Sequence, residues 1–304
     1  MRLWSRNAEV VRSINEARVN SRYLSSTSIP SSVIATGDLG VASRGASMVV
    51  FAAPSHAARE LLTAMLLDEA TIIVSVSKGI EIESGKRISE IAKEVLGSSY
   101  PFVCLSGPSF AKEVVAGHPT AIVAASKDAA AARTVQNDFS FENLRIYTNT
   151  DVIGTEIGGS VKNVMAIAAG MTNGLGFGAN SVAALITRGL AEITRLARRE
   201  GAQIETLMGL AGLGDLVLTC TGNLSRNRFV GEELGKGKTL AEITAELNEV
   251  AEGINTARAV KKLADRAGLE MPITNEVNAV LYDGKPARDA VAELMSRPLR
   301  EEIN

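Results

Sequence analysis

Up to about residue 150 the chain alternates short β-branched runs with helical patterns, and beyond Asp151 the strand-like runs stop. The strand candidates are Met48–Ala53, Thr71–Val76, Phe102–Leu105, Thr120–Ala124 and Leu144–Thr148. Helical periodicity lies between them near Ala57–Leu67, Arg87–Leu96, Phe110–Ala116 and Ala129–Asp138. Alternation at this spacing predicts an α/β domain, a mostly parallel sheet with helices on both faces. The second half carries only helical periods, near Val182–Arg199, Leu240–Glu249, Asn255–Ala267, Asn275–Tyr282 and Ala287–Met295. An all-helical domain is expected there, so that residues 1–150 and 151–304 form two domains. A chain of 304 residues is also longer than one hydrophobic core usually serves. The cleft between two such domains is a usual place for a small-molecule site.

A net charge of −2, with 46% hydrophobic and 22% charged residues, leaves no basic excess to hold nucleic acid or an anionic membrane. Cys104 and Cys220 lie far apart in no CxxC pattern and read as small buried hydrophobes of a reducing compartment. His56 and His118 are isolated, so no histidine-based metal site is expected. Met1-Arg-Leu-Trp-Ser-Arg6 lacks the apolar core of a signal peptide, and a cytoplasmic protein is expected. The stretch from Asn163 to Thr187 carries no charge and is long enough to span a membrane. Its asparagines (Asn163, Asn173, Asn180) and the glycines bunched between Gly170 and Gly178 argue instead for two helical segments around a glycine-rich turn.

Lys162 immediately precedes that uncharged stretch. Small apolar neighbours would desolvate its ammonium and lower its pKa toward the range of proton transfer. Ala166, Ala169, Gly170 and Asn173 share its helix face. They are too small to cover it, so another part of the protein must close over the lysine. Asp215 is the one carboxylate in a second uncharged run, Met208 to Leu224, and needs a partner because an unpaired buried charge is costly. Lys162 is the obvious candidate.

Lys78 follows a strand end, where open α/β sheets line their ligand crevice. Gly107 and Ser109 stand where another strand passes into a helix; Gly107 allows close backbone approach, and Ser109 is a candidate N-cap beside exposed helix amides. In Ser225-Arg226-Asn227-Arg228, two arginines with Ser and Asn interleaved suit a phosphate. Gly237-Lys238-Thr239 only mimics the end of a P-loop and is expected to be a solvated turn. A desolvated lysine, a carboxylate, a phosphate clamp and a strand-end crevice together suit hydride transfer on a small phosphorylated alcohol.

With these strings in this order, the whole chain resembles the bacterial-type NAD(P)-dependent glycerol-3-phosphate dehydrogenases. The likeness runs from Leu3-Trp-Ser-Arg6 through Ser77-Lys-Gly-Ile-Glu81, Leu105–Ala111, Gly158–Asn163, Gly209–Thr221, Ser225–Arg228 and Val250-Ala-Glu-Gly253 to Met271-Pro-Ile-Thr274. It implies a Rossmann-like doubly wound sheet followed by an all-α domain, with NAD or NADP as cofactor and a phosphorylated three-carbon substrate. It implies Lys162 as the general base for the C2 hydroxyl, Asp215 tuning it, and Lys78 beside it. It further implies substrate contacts by Lys78, Gly107 and Ser109 and a phosphate grip by Ser225, Arg226 and Asn227. Cofactor contacts would come from Arg6, Lys78, Ala111, Arg226, Val250 and Glu252. Arg6, at the end of the second strand, suits a 2′-phosphate, so NADPH is expected to be preferred. Reduction of dihydroxyacetone phosphate to supply lipid backbones is the implied role, and a homodimer is compatible with it.

No Gly-x-Gly-x-x-Gly occurs in the chain. The family's first strand and glycine-rich turn would precede Leu3, and Met1 is expected to be an internal methionine of a longer reading frame. Without that central strand, two neighbours should lack ladder partners. Two other readings fit the residues: another two-domain hydroxy-acid dehydrogenase, and a cofactor-less remnant that binds phosphorylated metabolites.

Overall fold

The computed structural model describes residues 1–247, 251–299 and 301–302. The first lobe runs β1 (Arg2–Trp4), α1 (Ala8–Arg12), a π-turn (Ser13–Ala17), β2 (Val19–Asn20), β3 (Leu24–Ser28), β4 (Ile34–Thr36) and α2 (Leu39–Ser43). β1 pairs with β4, in parallel, and β2 with β3 as an antiparallel hairpin. Three of these strands were not expected. Leu24-Ser-Ser-Thr-Ser28 has no apolar alternation, and strands of two or three residues leave no period to detect.

The main sheet has the order β5 (Met48–Phe51), β6 (Ile72–Ser75), β7 (Phe102–Ser106), β8 (Thr120–Ala125) and β9 (Leu144–Asn149). All five strands coincide with the expected ones to within two residues. Between them lie α3 (Ala58–Ala64), α4 (Ile88–Leu96), α5 (Ala111–Val115) and α6 (Ala129–Phe139). Successive strand residues face opposite sides. In β6, Ile73 therefore joins Phe51, Leu62, Ile88 and Ile91 under α3 and α4, while Val74 joins Val103, Ile122 and Val135 under α6. Burial on both faces is why these strands read as continuous aliphatic runs. Pairing is parallel except between β7 and β8, which run antiparallel. Among the described residues neither β1 nor β5 has a second ladder partner, and β1–β4 stands apart from the main sheet.

Among the described residues no strand follows Asn149. The helices are α7 (Val152–Gly174), α8 (Ala179–Arg199), α9 (Ile204–Met208), α10 (Asp215–Thr221), α11 (Arg226–Gly235), α12 (Leu240–Glu246), α13 (Glu252–Ala267), α14 (Pro272–Tyr282) and α15 (Ala287–Ser296). A π-turn (Leu210–Gly214) leads into α10. The uncharged stretch forms the end of α7, a turn and the start of α8, and no described helix is long and apolar enough to cross a membrane.

Asp151 caps α7, accepting from Gly154 N at 2.9 Å, and its other oxygen accepts from Gln203 N. From there α7 is buried almost end to end, among α8, α10, α11, α13 and α14. Its closest neighbour is α11. Gly170 and Gly174 of α7 meet Gly231 and Gly235 of α11, both pairs four residues apart, so backbone lies on backbone. A Cβ on Gly231 would overlap the Ile167 carbonyl, and one on Gly235 would stand 2.5 Å from that of Met171.

Candidate active site

Lys162 sits midway along α7 and is 5% exposed. Its ammonium donates to Asp215 Oδ1 at 2.5 Å and to Thr219 Oγ1 at 2.8 Å. The covering element demanded by its small helix neighbours is thus α10. Thr219 lies one turn beyond Asp215 on the same face of α10, and its hydroxyl donates a hydrogen bond to the Asp215 carbonyl at 2.6 Å. Asp215 stands where the π-turn passes into α10, its own amide bound back to Leu210 O and Gly212 O.

Lys78, three residues past β6, donates to the other Asp215 oxygen at 2.6 Å and to the Gly107 carbonyl at 3.1 Å. One buried carboxylate therefore bridges two lysines, one from the turn after β6 and one from α7, a sharing that the motifs did not reveal. Burial pushes the Lys162 amine down to about 7; the nearby Lys78 charge adds to the push, and Asp215 opposes it. An amine so placed exchanges a proton near neutral pH.

Gly107 has φ +143°, and a Cβ there would lie 2.9 Å from Ile122 Cα. Only glycine turns its carbonyl toward Lys78 at this point. Ser109 does not cap α5 as expected. Phe110 holds the cap position, and the Ser109 hydroxyl donates back to Gly107 O at 3.0 Å. Ala111, the first residue of α5, is exposed.

Ser225 caps α11 by accepting from Arg228 N. Asn227 is buried and ties three helices together: its Nδ2 donates to Asn163 Oδ1, and its Oδ1 accepts from Gly253 N, both at 2.9 Å. The second arginine of the expected clamp is engaged locally, Arg228 binding Gly222 O, Asn223 Oδ1 and Glu232. Arg226, the first residue of α11, is exposed and acts electrostatically on Glu252. Glu252 begins α13 and accepts from Ser55 Oγ at 3.1 Å; burial pushes its carboxyl up. It lies against the Lys78–Gly79 turn, since a Cβ on Gly79 would stand 2.9 Å from its Oε2. Val250 lies outside the described residues. Arg6 is exposed between β1 and α1. Gly237-Lys238-Thr239 is a solvated turn in which Thr239 caps α12 and Lys238 pairs with Glu233 and Glu246.

Asn163, Thr219, Ser55 and Gly79 belong to this constellation and were not singled out from the sequence. Only Thr219 carried a signal, its four-residue spacing from Asp215. Around the Lys78–Gly79 turn, Glu252 and Ser55 stand side by side, a carboxylate and a hydroxyl of the kind that hydrogen-bond the hydroxyls of a ligand. Among the described residues no glycine-rich turn offers amides to a pyrophosphate.

Two family models match. One describes the NAD-dependent glycerol-3-phosphate dehydrogenase N-terminus, over residues 1–132, and the other its C-terminus, over residues 151–292. The chain belongs to the NAD-dependent glycerol-3-phosphate dehydrogenases. The glycerol-3-phosphate dehydrogenase [NAD(P)+] of Koribacter versatilis is 53% identical to it, covering 100% of this chain and 91% of the relative. That of Geobacter sulfurreducens is 50% identical, covering 99% and 91%. The crystal structure of glycerol-3-phosphate dehydrogenase from Coxiella burnetii superposes with a TM-score of 0.94 at 40% identity, covering 97% of this chain and 91% of that one. Family membership makes the chain an oxidoreductase that uses NAD or NADP, and it displaces the hydroxy-acid dehydrogenase reading.

Proposed function

We propose that this glycerol-3-phosphate dehydrogenase interconverts sn-glycerol 3-phosphate and dihydroxyacetone phosphate with Lys162 as its proton-transfer residue, from a helical catalytic domain (151–304) closing on a dinucleotide-binding domain (1–150). The observation that carries this reading is the buried carboxylate of Asp215 held between Lys162 and Lys78. In the oxidation, neutral Lys162 takes the proton of the C2 hydroxyl; in the reduction, the ammonium returns it to the forming alkoxide. The nicotinamide, when bound, supplies the hydride acceptor or donor. Asp215 and Thr219 fix the direction of the Lys162 amine, and Lys78 presents a second cation to the substrate oxygen, where negative charge develops.

The phosphate of the substrate is assigned to Arg226 with Ser225 and Asn227. Both neighbours still have protons to give. Ser225 Oγ accepts from Arg228 N, which leaves its O–H as a donor, and Asn227 Nδ2 has a second hydrogen beyond that directed at Asn163. Gly107 and Ser109 would line the substrate from the first domain, and Ala111, Val250, Glu252 and Lys78 the cofactor. Arg6 favours the 2′-phosphate of NADPH; comparing KM for NADPH and NADH measures this, and a lower KM for NADH would overturn it. Reduction toward lipid backbones in the cytoplasm, by a homodimer, completes the proposal.

Replacing Lys162 by methionine tests the central assignment. A positioned general acid–base contributes about 10²–10⁴-fold, and kcat should fall by that much while the protein stays folded. Undiminished turnover by Lys162→Met would refute it.

A further inference from the structure

The segment that carries Lys78 is pinned at both ends. On its near side Ser77 Oγ donates to the Ala53 carbonyl at 2.5 Å. On its far side Ile80 forms an antiparallel bridge with Arg87, and Glu81 N donates to Lys86 O at 2.9 Å. Arg87 then leaves this small loop for the helical domain: its Nη1 donates to Glu156 Oε2 of α7 at 3.0 Å. Ser89 adds two more bonds to the same carboxylate, from its amide at 2.8 Å and its hydroxyl at 2.5 Å. Glu156 and Arg87 are both buried, so this is an ion pair closed off from water.

Glu156 stands six residues before Lys162 on one rigid helix, about 9 Å along its axis. The clasp therefore fixes the Lys78 loop to the helix that carries Lys162. Asp215 can meet both amines only if that loop keeps its place. We propose that Glu156, through Arg87 and Ser89, is a positioning residue for the reaction, holding Lys78 at the distance from Lys162 that Asp215 spans.

Buried ion pairs often contribute little net stability, which makes a positional role the better account of this one. The charged and titratable groups facing the two ends are few. Glu156 faces Arg87 and Cys104, with Glu90 joined to Arg87 at 3.0 Å; Lys162 faces Lys78, Asp215 and Cys220. Of these, Lys78 is the one whose displacement makes Lys162 harder to deprotonate.

The inference rests on Lys162 being the proton-transfer residue, and the test separates the two. In Glu156→Gln the acid limb of kcat/KM for glycerol 3-phosphate oxidation should move toward alkaline pH by about one unit, the low end of what a nearby like charge exerts. Oxidation at pH 7 should fall by about fivefold and recover at pH 9, whereas a merely structural lesion would lower the rate at every pH. Ser89→Ala removes one bond and keeps the ion pair, and it should move the limb the same way by less if Glu156→Gln fails to fold. An unmoved limb in the folded variants, with Lys162→Met inactive, overturns the clasp alone; an active Lys162→Met overturns the reading beneath it.

Discussion

Burial of Lys162 has consequences of definite sign. The base is neutral above about 7, so kcat/KM for oxidation should rise through that pH, and reduction, which needs the ammonium, should fall through it. A stopped assay in each direction between pH 6 and 9 checks both limbs, and parallel limbs would contradict the assignment. Stability follows the same amine. Between about 7 and 10.5 the unfolded chain still binds a proton that the folded chain has released, so this group makes the fold more stable as pH rises across that window. Urea midpoints of wild type and Lys162→Met should converge toward the alkaline end. The pairing of Lys162 with Asp215 was legible because each is a lone charge in an apolar run, and a buried charge must find a partner. That Lys78 shares the carboxylate was not, since nothing local to Ser77-Lys-Gly tells where the loop is held. Ser109 shows the opposite failure: its local signal was that of a helix cap, yet the helix begins one residue later, with Phe110 at the cap position, and the Gly107 carbonyl claimed the hydroxyl.

The contact of α7 with α11 is as exacting as the site it supports. Gly231→Ala places a methyl group against the Ile167 carbonyl, which neither helix can relieve without parting. Overpacking of this kind costs about 1–3 kcal/mol, and the melting temperature should drop accordingly while a surface change such as Lys262→Ala leaves it unmoved. Because Asn227 and Ser225 lie on the same α11, the KM for glycerol 3-phosphate should rise with the loss. Helix periods revealed α8, α13, α14 and α15 in the sequence, and α8, α13 and α15 set a buried stripe against a polar side. They did not reveal α7 as a single helix from Val152: a helix buried all round has no polar stripe to give it a period. The strands of the main sheet were legible for a related reason, since burial on both faces demands unbroken aliphatic runs.

The molecule divides unevenly in what holds it. The helical half, joined by Ile80, shares one extended apolar core, whereas the buried apolar side chains of residues 1–36 are Val10, Ile14, Val33 and Ala35, with Leu3, Val11 and Ile29 at the margin. The end of the strands near Asp151 was readable from the change of period, but this weakly cored N-terminal lobe was not, because strands so short and polar announce nothing. Its ladder is three residue pairs long and ends there. Stability is distributed in units of cooperative contact, and a unit with so little apolar burial opens on its own. Amides of Leu3 to Thr36 should therefore trade their hydrogens for deuterium long before those of β6 and β7, and a protease offered the folded protein should nick this corner first.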